Sequence, residues 1–258
     1  MLGSGALSIK PIKKKFFLGL FKLAGLHRKV IWQATALTEK QDIQDTFGAG
    51  CEIMIAPNLS EVVNGSLEVK EKLEGKLGAY FLSRISPKKN LLAAIQALAQ
   101  TDPDLEFDFS IIGPVEDEAY WNQCQFEIEQ LPQHVRVKVV GEIPHWEISD
   151  KLKSQHLLLL PTLNENYGHV IVESWQNGCL VLISDQTPWQ ELENKLIGKV
   201  YPLSQNANFV KALNQFAQMN AEDFNHWSEA AFRFAASLAD DKTAIDQSRK
   251  LLNNQTDL

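Results

Sequence analysis

Leu157–Ser184 reads LLLLPTLNENYGHVIVESWQNGCLVLIS, and the fold class follows from its parts. Leu157–Leu160 is a continuous apolar run, short enough for a strand buried on both faces. Pro161–Tyr167 is polar and turn-forming, and Gly168–Gln176 then carries apolar residues at helical spacing. Leu180–Ser184 is apolar again and strand-length. Strand, loop, helix and strand in so short a span make a crossover unit, which joins parallel neighbours in a sheet covered on both faces.

The same alternation extends in both directions. Upstream, strands are expected at Leu77–Ser83, Phe107–Ile112 and Val135–Val140, with helices at Leu91–Leu98, from Gly113-Pro114 to about Glu129, and before about Lys153. Further back, Val30–Ala34, Glu39–Phe47 and Glu52–Ile55 form one strand–helix–strand unit. Ser60–Gly75, with scattered glycine and charge, reads as a linker. After Val200 the pattern is wholly helical, over Asn206–Met219, Asp223–Ala239 and Lys242–Leu252. The expected fold is α/β, a Rossmann-like doubly wound parallel sheet with a remnant of a second such domain and C-terminal helices. Its parts are the remnant at 1–60, a linker at 61–76, the main domain at 77–220 and the helices at 221–258. Such sheets bind ligands at the carboxyl ends of their strands, so loops 83–90, 113–118, 141–146 and 161–168 should border one crevice.

Two of those loops carry candidate chemistry. In Ser83-Arg84-Ile85-Ser86-Pro87-Lys88-Lys89-Asn90, Arg84 and Lys89 flank a tight turn between strand and helix. An Arg fork and a Lys point charge converging there can grip an anion. Taken alone, basic residues near a turn are more often a solvated surface feature. In the second loop, Glu165 precedes Tyr167-Gly168-His169, and Glu173 lies in the helix that follows. The N–H groups at a helix start favour a phosphate. The Glu173 side chain tilts back toward that end and can accept from paired hydroxyls such as those of a ribose. The alternative makes Glu165 a surface acid and Glu173 a charge complementing the helix dipole.

Both motifs together, in this order, resemble the donor domain of family-4 glycosyltransferases of the GT-B fold. YFLSRISPKKNLLAAIQAL, IIGP, VVGEIP and LLLPTLNENYGHVIVESWQNGCLVLISDQTPWQEL are similar to successive motifs of that family, and the likeness runs from about residue 26 to 252. The resemblance implies that Arg84 and Lys89 hold the donor diphosphate and steady the leaving group. It implies that Glu173 binds the ribose, that Glu165 meets the donor sugar near the reacting carbon, and that backbone amides at Tyr167, Gly168 and His169 face phosphate or sugar. Gly141 to Ile143 would border the base. The reaction implied is transfer of a sugar, with retention, from a nucleotide-diphosphate sugar to a glycan or lipid-linked acceptor in polysaccharide, lipopolysaccharide or glycoconjugate synthesis. Neither cofactor nor metal is expected, the two cations supplying the charge. The departures are Asn90, where the family often has Gly, and Tyr167, where Phe is common.

Only the tail of an acceptor domain precedes the linker, so most of that domain is expected to be absent. The orphaned faces, Trp227, Phe232 and Phe234 among them, would be exposed or would meet a second copy or a separate acceptor-domain subunit. A non-catalytic nucleotide-sugar-binding fragment or subunit is the competing reading.

Composition narrows the remaining classes. The net charge is −7, with all 32 acidic residues after Thr38. Nucleic acid is an unsuitable partner for so acidic a body. Residues 1–38 carry Lys10, Lys13, Lys14, Lys15, Lys22, Arg28 and Lys29. The apolar residues Phe16, Phe17, Leu18, Leu20, Phe21 and Leu23 are interrupted by Lys22, which fits an amphipathic helix better than a signal peptide. That helix packs on the protein or meets anionic lipid through 10–29. Cys51, Cys124 and Cys179 are scattered, as in a reduced cytoplasm. The start Gly3-Ser4-Gly5-Ala6-Leu7-Ser8 lacks the last glycine of a dinucleotide fingerprint and follows no strand.

Overall fold

The computed structural model describes residues 11–35, 37–56, 58–59 and 66–253. Lys10, the stretch 60–65 and the glycines at 3 and 5 lie outside them. The chain divides into two compact units, one of residues 1–61 with 239–258 and the other of residues 62–238.

The first unit contains α1 (Pro11–Leu23), β1 (Ile31–Ala34), α2 (Leu37–Phe47) and β2 (Glu52–Ile55), with β1 and β2 parallel. Its small core holds Ala34, Ile43 and Phe47, against which Leu18, Phe21 and Trp32 pack. One face of α1 is thereby used. Phe16, Phe17, Leu20 and Leu23 on the same helix are exposed, Leu23 by 86%.

The second unit is built on six parallel strands: β3 (Lys76–Leu82), β4 (Glu106–Ile112), β5 (Val135–Gly141), β6 (Leu157–Leu160), β7 (Leu180–Ser184) and β8 (Gly198–Tyr201). They lie in the order β5-β4-β3-β6-β7-β8. The helices are α3 (Leu91–Leu98), α4 (Glu118–Glu129), α5 (His145–Leu152), α6 (His169–Gln176), α7 (Asn206–Gln218) and α8 (Ala221–Ala239), and α9 (Lys242–Asn253) belongs to the first unit. Every residue of β6 and β7 is buried, which is why both read as unbroken apolar runs rather than alternating ones. The order reverses between β3 and β6, and at such a switch the loops that follow adjacent strands part to leave a crevice.

Most expected elements fall within a few residues of their places. β8 is a strand that the sequence pattern hides. It has four residues, and it opens on Gly198, where a Cβ would stand 2.2 Å from the Val181 carbonyl oxygen. The C-terminal aromatic residues are also placed otherwise than expected. Phe234 stacks edge-on against Trp175 at 5.1 Å, and Trp227 against Phe216 at 5.9 Å, so both complete this unit's own core. Phe232 is half-buried.

Residues 66–75, within the stretch expected to be a linker, form a strap with no helix or strand and with two buried lysines. Lys70 Nζ donates to the carbonyls of Leu152 at 2.7 Å and Lys153 at 3.1 Å, at the end of α5. Lys72 Nζ donates to the carbonyl of its neighbour Leu73 and, at the end of α7, to those of Ala217 and Met219, each at 2.8 Å. Helix C-termini leave carbonyls without partners and carry partial negative charge, which suits an ammonium. Burial pulls Lys72 down to about 8 while Glu74 pulls it up, so it stays charged at neutral pH. Between the two lysines, His156 Nδ1 accepts from the Gly78 N–H at 2.9 Å and Nε2 meets the Glu71 carbonyl at 2.9 Å. The first hydrogen bond fixes the tautomer with the proton on Nε2. Burial lowers the His156 pKa to about 4.

Candidate functional site

The loops after β3 and β6 meet at the switch and are laced together by backbone. Asn90 lies in the left-handed region, with φ 58° and ψ 43°, at the N-cap of α3. Glycine takes that conformation most easily and Asn is among the few other residues that tolerate it, which accounts for Asn where glycine was expected. Asn90 Nδ2 then donates to the Pro161 carbonyl at 2.9 Å. The Lys88 carbonyl accepts from the Leu163 N–H at 2.8 Å and from Thr162 Oγ1 at 3.2 Å. On its far side the second loop is held by Ser184 Oγ, which donates to the Thr162 carbonyl at 2.5 Å, and by the Glu165 N–H, which donates to the Gln186 carbonyl at 2.9 Å.

On this frame Lys89 Nζ meets Glu165 Oε2 directly, with side chains only 12% and 18% exposed. Two residues far apart in sequence, one expected to hold diphosphate and the other sugar, are thus neighbours. Arg84 turns to a different carboxylate, its Nη1 lying 2.6 Å from Glu116 Oε1. The backbone arranges this meeting. The Ile85 N–H donates to the Pro114 carbonyl at 2.8 Å, and the Glu116 N–H donates to the Ile85 carbonyl at 3.1 Å. Gly113 permits the close passage, since a Cβ there would stand 2.0 Å from the Ser83 carbonyl oxygen.

Gly168, with φ 80°, is the N-cap of α6. A Cβ on it would meet Ile171 Cδ1 at 2.7 Å and Glu165 Cγ at 3.1 Å, so a side chain would push Glu165 out of place. The first turn of α6 presents N–H groups with no intrahelical partner. Tyr167, just before, is fixed by Trp189, whose Nε1 donates to the Tyr167 carbonyl and whose ring lies edge-on to Tyr167 at 5.3 Å. His169 also packs against the Tyr167 ring, at 4.9 Å. Glu173, on α6, faces His145 Nε2 at 3.4 Å. His145 opens α5 directly after the loop carrying Ile143, which is half-buried against the core, and Gly141 ends β5 with φ 80°.

Every candidate therefore lies at the carboxyl edge. Lys89 and Glu165 are brought together, while Arg84 and Glu173 are drawn to partners that the sequence pattern did not single out. Those partners are Glu116 and His145, and Trp189 behind Tyr167 went equally unmarked. Glu116 carried one signal, its place just after the strand-ending Gly113-Pro114. A cavity of about 870 Å³ lies elsewhere, along the sheet face beside Gly78, Ser110, Val140, Lys151 and His156, and contains none of these candidates. Among the described residues no three His, Cys, Asp or Glu side chains converge as metal ligands would.

Residues 66–234 match the family described as glycosyl transferases, group 1. The chain belongs to that family. No curated protein is recognisably similar to this family member in sequence. Among solved structures it is similar to HepE of Anabaena in complex with UDP-glucose, at 17% identity and a TM-score of 0.69 over 88% of this chain and 63% of that one. It is similar to WaaG, a glycosyltransferase involved in lipopolysaccharide biosynthesis, at 15% identity and 0.65 over 84% and 60%. It is also similar to sucrose-phosphate synthase of Thermosynechococcus elongatus, at 14% identity and 0.74 over 99% and 66%. At such identities the likeness is one of fold. The chain spans less than two thirds of each of these structures.

Proposed function

We propose that this glycosyltransferase-family chain binds a nucleotide-diphosphate sugar at the edge of β3 and β6, for transfer of the sugar with retention. The observation that carries the reading is the meeting of Lys89 and Glu165 across the switch point. Arg84 and Lys89 supply positive charge to the diphosphate and to its growing charge as the sugar leaves, without a metal. Glu165 meets the donor sugar, Glu173 accepts from the ribose hydroxyls, and the start of α6 offers its N–H groups to phosphate or sugar. The loop of Gly141 and Ile143 borders the base. That HepE was crystallised with UDP-glucose and that WaaG serves lipopolysaccharide biosynthesis support a donor of this class and a cell-surface glycan as product.

Calorimetric titration with UDP-, GDP- and ADP-sugars tests the reading. One of them binds, and Arg84→Ala with Lys89→Ala weakens it by about 1.5–3 kcal/mol for each charge-assisted hydrogen bond removed. Unchanged affinity in the double variant refutes the diphosphate assignment, and an inverted anomeric centre in the product refutes retention.

A second reading, donor binding without transfer, is favoured by the chain's partial span of the similar structures. Transfer needs an acceptor hydroxyl held against the anomeric carbon, and such positioning is worth roughly 7–11 kcal/mol of barrier. Transfer assays with the chain alone, and with a separate acceptor-domain subunit or a second copy supplied, divide the two readings.

The exposed Phe16, Phe17, Leu20 and Leu23 of α1, with Lys13 and Lys22 on the same helix, favour contact with anionic lipid, and the free thiols of Cys51, Cys124 and Cys179 favour the cytoplasm. Among the described residues no helix is long and apolar enough to cross a membrane. Sedimentation with phosphatidylglycerol vesicles, but not with phosphatidylcholine vesicles, is the expected result.

A further inference from the structure

Each of the two cations assigned to the diphosphate is paired with a carboxylate of another loop, and the two pairs differ in depth. Arg84–Glu116 is open, with side chains 59% and 47% exposed. Lys89–Glu165 is largely enclosed. Glu116 reaches Arg84 because its own backbone is stapled to Ile85, so the pairing is built by the fold and is no chance encounter of long side chains.

We propose that Glu116 and Glu165 are internal counter-ions that occupy Arg84 and Lys89 until a diphosphate displaces both, making Glu116 a determinant of donor affinity and of preference for diphosphate over monophosphate. The inference rests on the diphosphate reading of Arg84 and Lys89. A single surface pair is weak and gives way readily. A largely enclosed pair is harder to part, because the carboxylate left behind is poorly solvated. A diphosphate offers oxygens to both cations on one molecule, so it replaces two separate carboxylates in one event. A monophosphate reaches one cation and leaves the other exchange unmade. Displacement also has a consequence for chemistry: once Lys89 turns to the phosphate, the Glu165 carboxylate is free to meet the sugar attached to it.

The alternative role for Glu116 is to orient Arg84 for its ligand, and the two roles predict opposite signs. The probe is whichever of UDP, GDP or ADP binds the unaltered chain most tightly, with its monophosphate and its uncharged nucleoside as references. Glu116→Gln tightens the diphosphate about two- to five-fold, the range of an exposed pair. Glu165→Gln tightens it about ten-fold by leaving Lys89 without its enclosed partner. In both variants the nucleoside is bound as before. Each variant frees one cation, so the monophosphate gains as much as the diphosphate in the variant that frees the cation it touches. In the other variant the ratio of diphosphate to monophosphate affinity rises by the full gain of the diphosphate. Weaker or unchanged diphosphate binding in Glu116→Gln overturns the proposal. That variant alters only an exposed side chain, so a folding defect in Glu165→Gln does not blunt the test. Arg84→Ala with Lys89→Ala separates the levels. If it abolishes binding while Glu116→Gln changes nothing, only the counter-ion proposal fails. If it leaves binding intact, the diphosphate reading beneath it fails.

Discussion

The cations of the carboxyl edge and those of the strap are neutralised in different ways. Arg84 and Lys89 pair with side-chain carboxylates, whereas Lys70 and Lys72 bind the backbone carbonyls that end α5 and α7. A carboxylate can swing aside by rotating about its own bonds. A helix-end carbonyl cannot move without unwinding its helix. The first arrangement leaves the charge available to a ligand; the second commits it to the fold. Composition cannot separate them, because all four side chains are basic residues in charged, polar surroundings.

Acid should break the strap before it disturbs the edge. The depressed His156 pKa means that the folded chain holds this imidazole neutral while the unfolded chain protonates it near pH 6.5. Its contribution is fully present above that pH and is lost as pH falls toward about 4, to a total of about 3 kcal/mol. Urea denaturation between pH 7 and 4 should show the decline, and His156→Gln should flatten it. An equal slope in the variant would mean that other groups carry the acid sensitivity.

Removing a strap cation comes next in size. Lys72→Met recovers the cost of burying an ammonium but takes a donor from the Met219 carbonyl, while Ala217 keeps the Gly75 N–H and Leu73 the Lys76 N–H. The lost hydrogen bonds outweigh the gain, and the loss of stability should be about 2 kcal/mol with donor affinity unaltered. Lys89→Met, the matched change at the edge, leaves the enclosed Glu165 carboxylate without its cation, so it too should cost stability, but unlike Lys72→Met it should weaken the donor. Donor affinity unaltered by Lys89→Met would erase the distinction between the two regions.

Two smaller effects sharpen the picture of the edge. Glu173→Gln should weaken nucleoside and nucleoside diphosphate equally, by about 1.5 kcal/mol, because the ribose is common to both. Trp189→Phe keeps the ring against Tyr167 and removes the hydrogen bond to its carbonyl. It should cost about 1 kcal/mol of donor affinity through a less well-held start to α6, with little change in the nucleoside. A larger loss for the nucleoside would place Trp189 nearer the ribose than the phosphate.

The sheet was legible because burial on both faces demands apolar runs, and β3, β6 and β7 have them. The candidate loops were legible because an Arg and a Lys flanking a turn, and two carboxylates flanking a helix start, are local patterns. Other features left no such mark. β8 is four residues beginning on a glycine, too short for periodicity to register. Buried lysines defeat a reading that takes charge for exposure, so the strap looked like a linker. Trp227 and Phe234 were expected at an orphaned surface, yet they pack on Phe216 and Trp175 of the same unit.

By itself the sequence determined the fold class, the family and which side chains stand at the carboxyl ends of the strands, because each depends on residues near one another in the chain. Tertiary structure alone decided the partners: Lys89 with Glu165, Arg84 with Glu116, Lys72 with the end of α7. A charge acquires its role from what the folded chain sets within about 3 Å of it. Here those neighbours come from loops and helices tens of residues away.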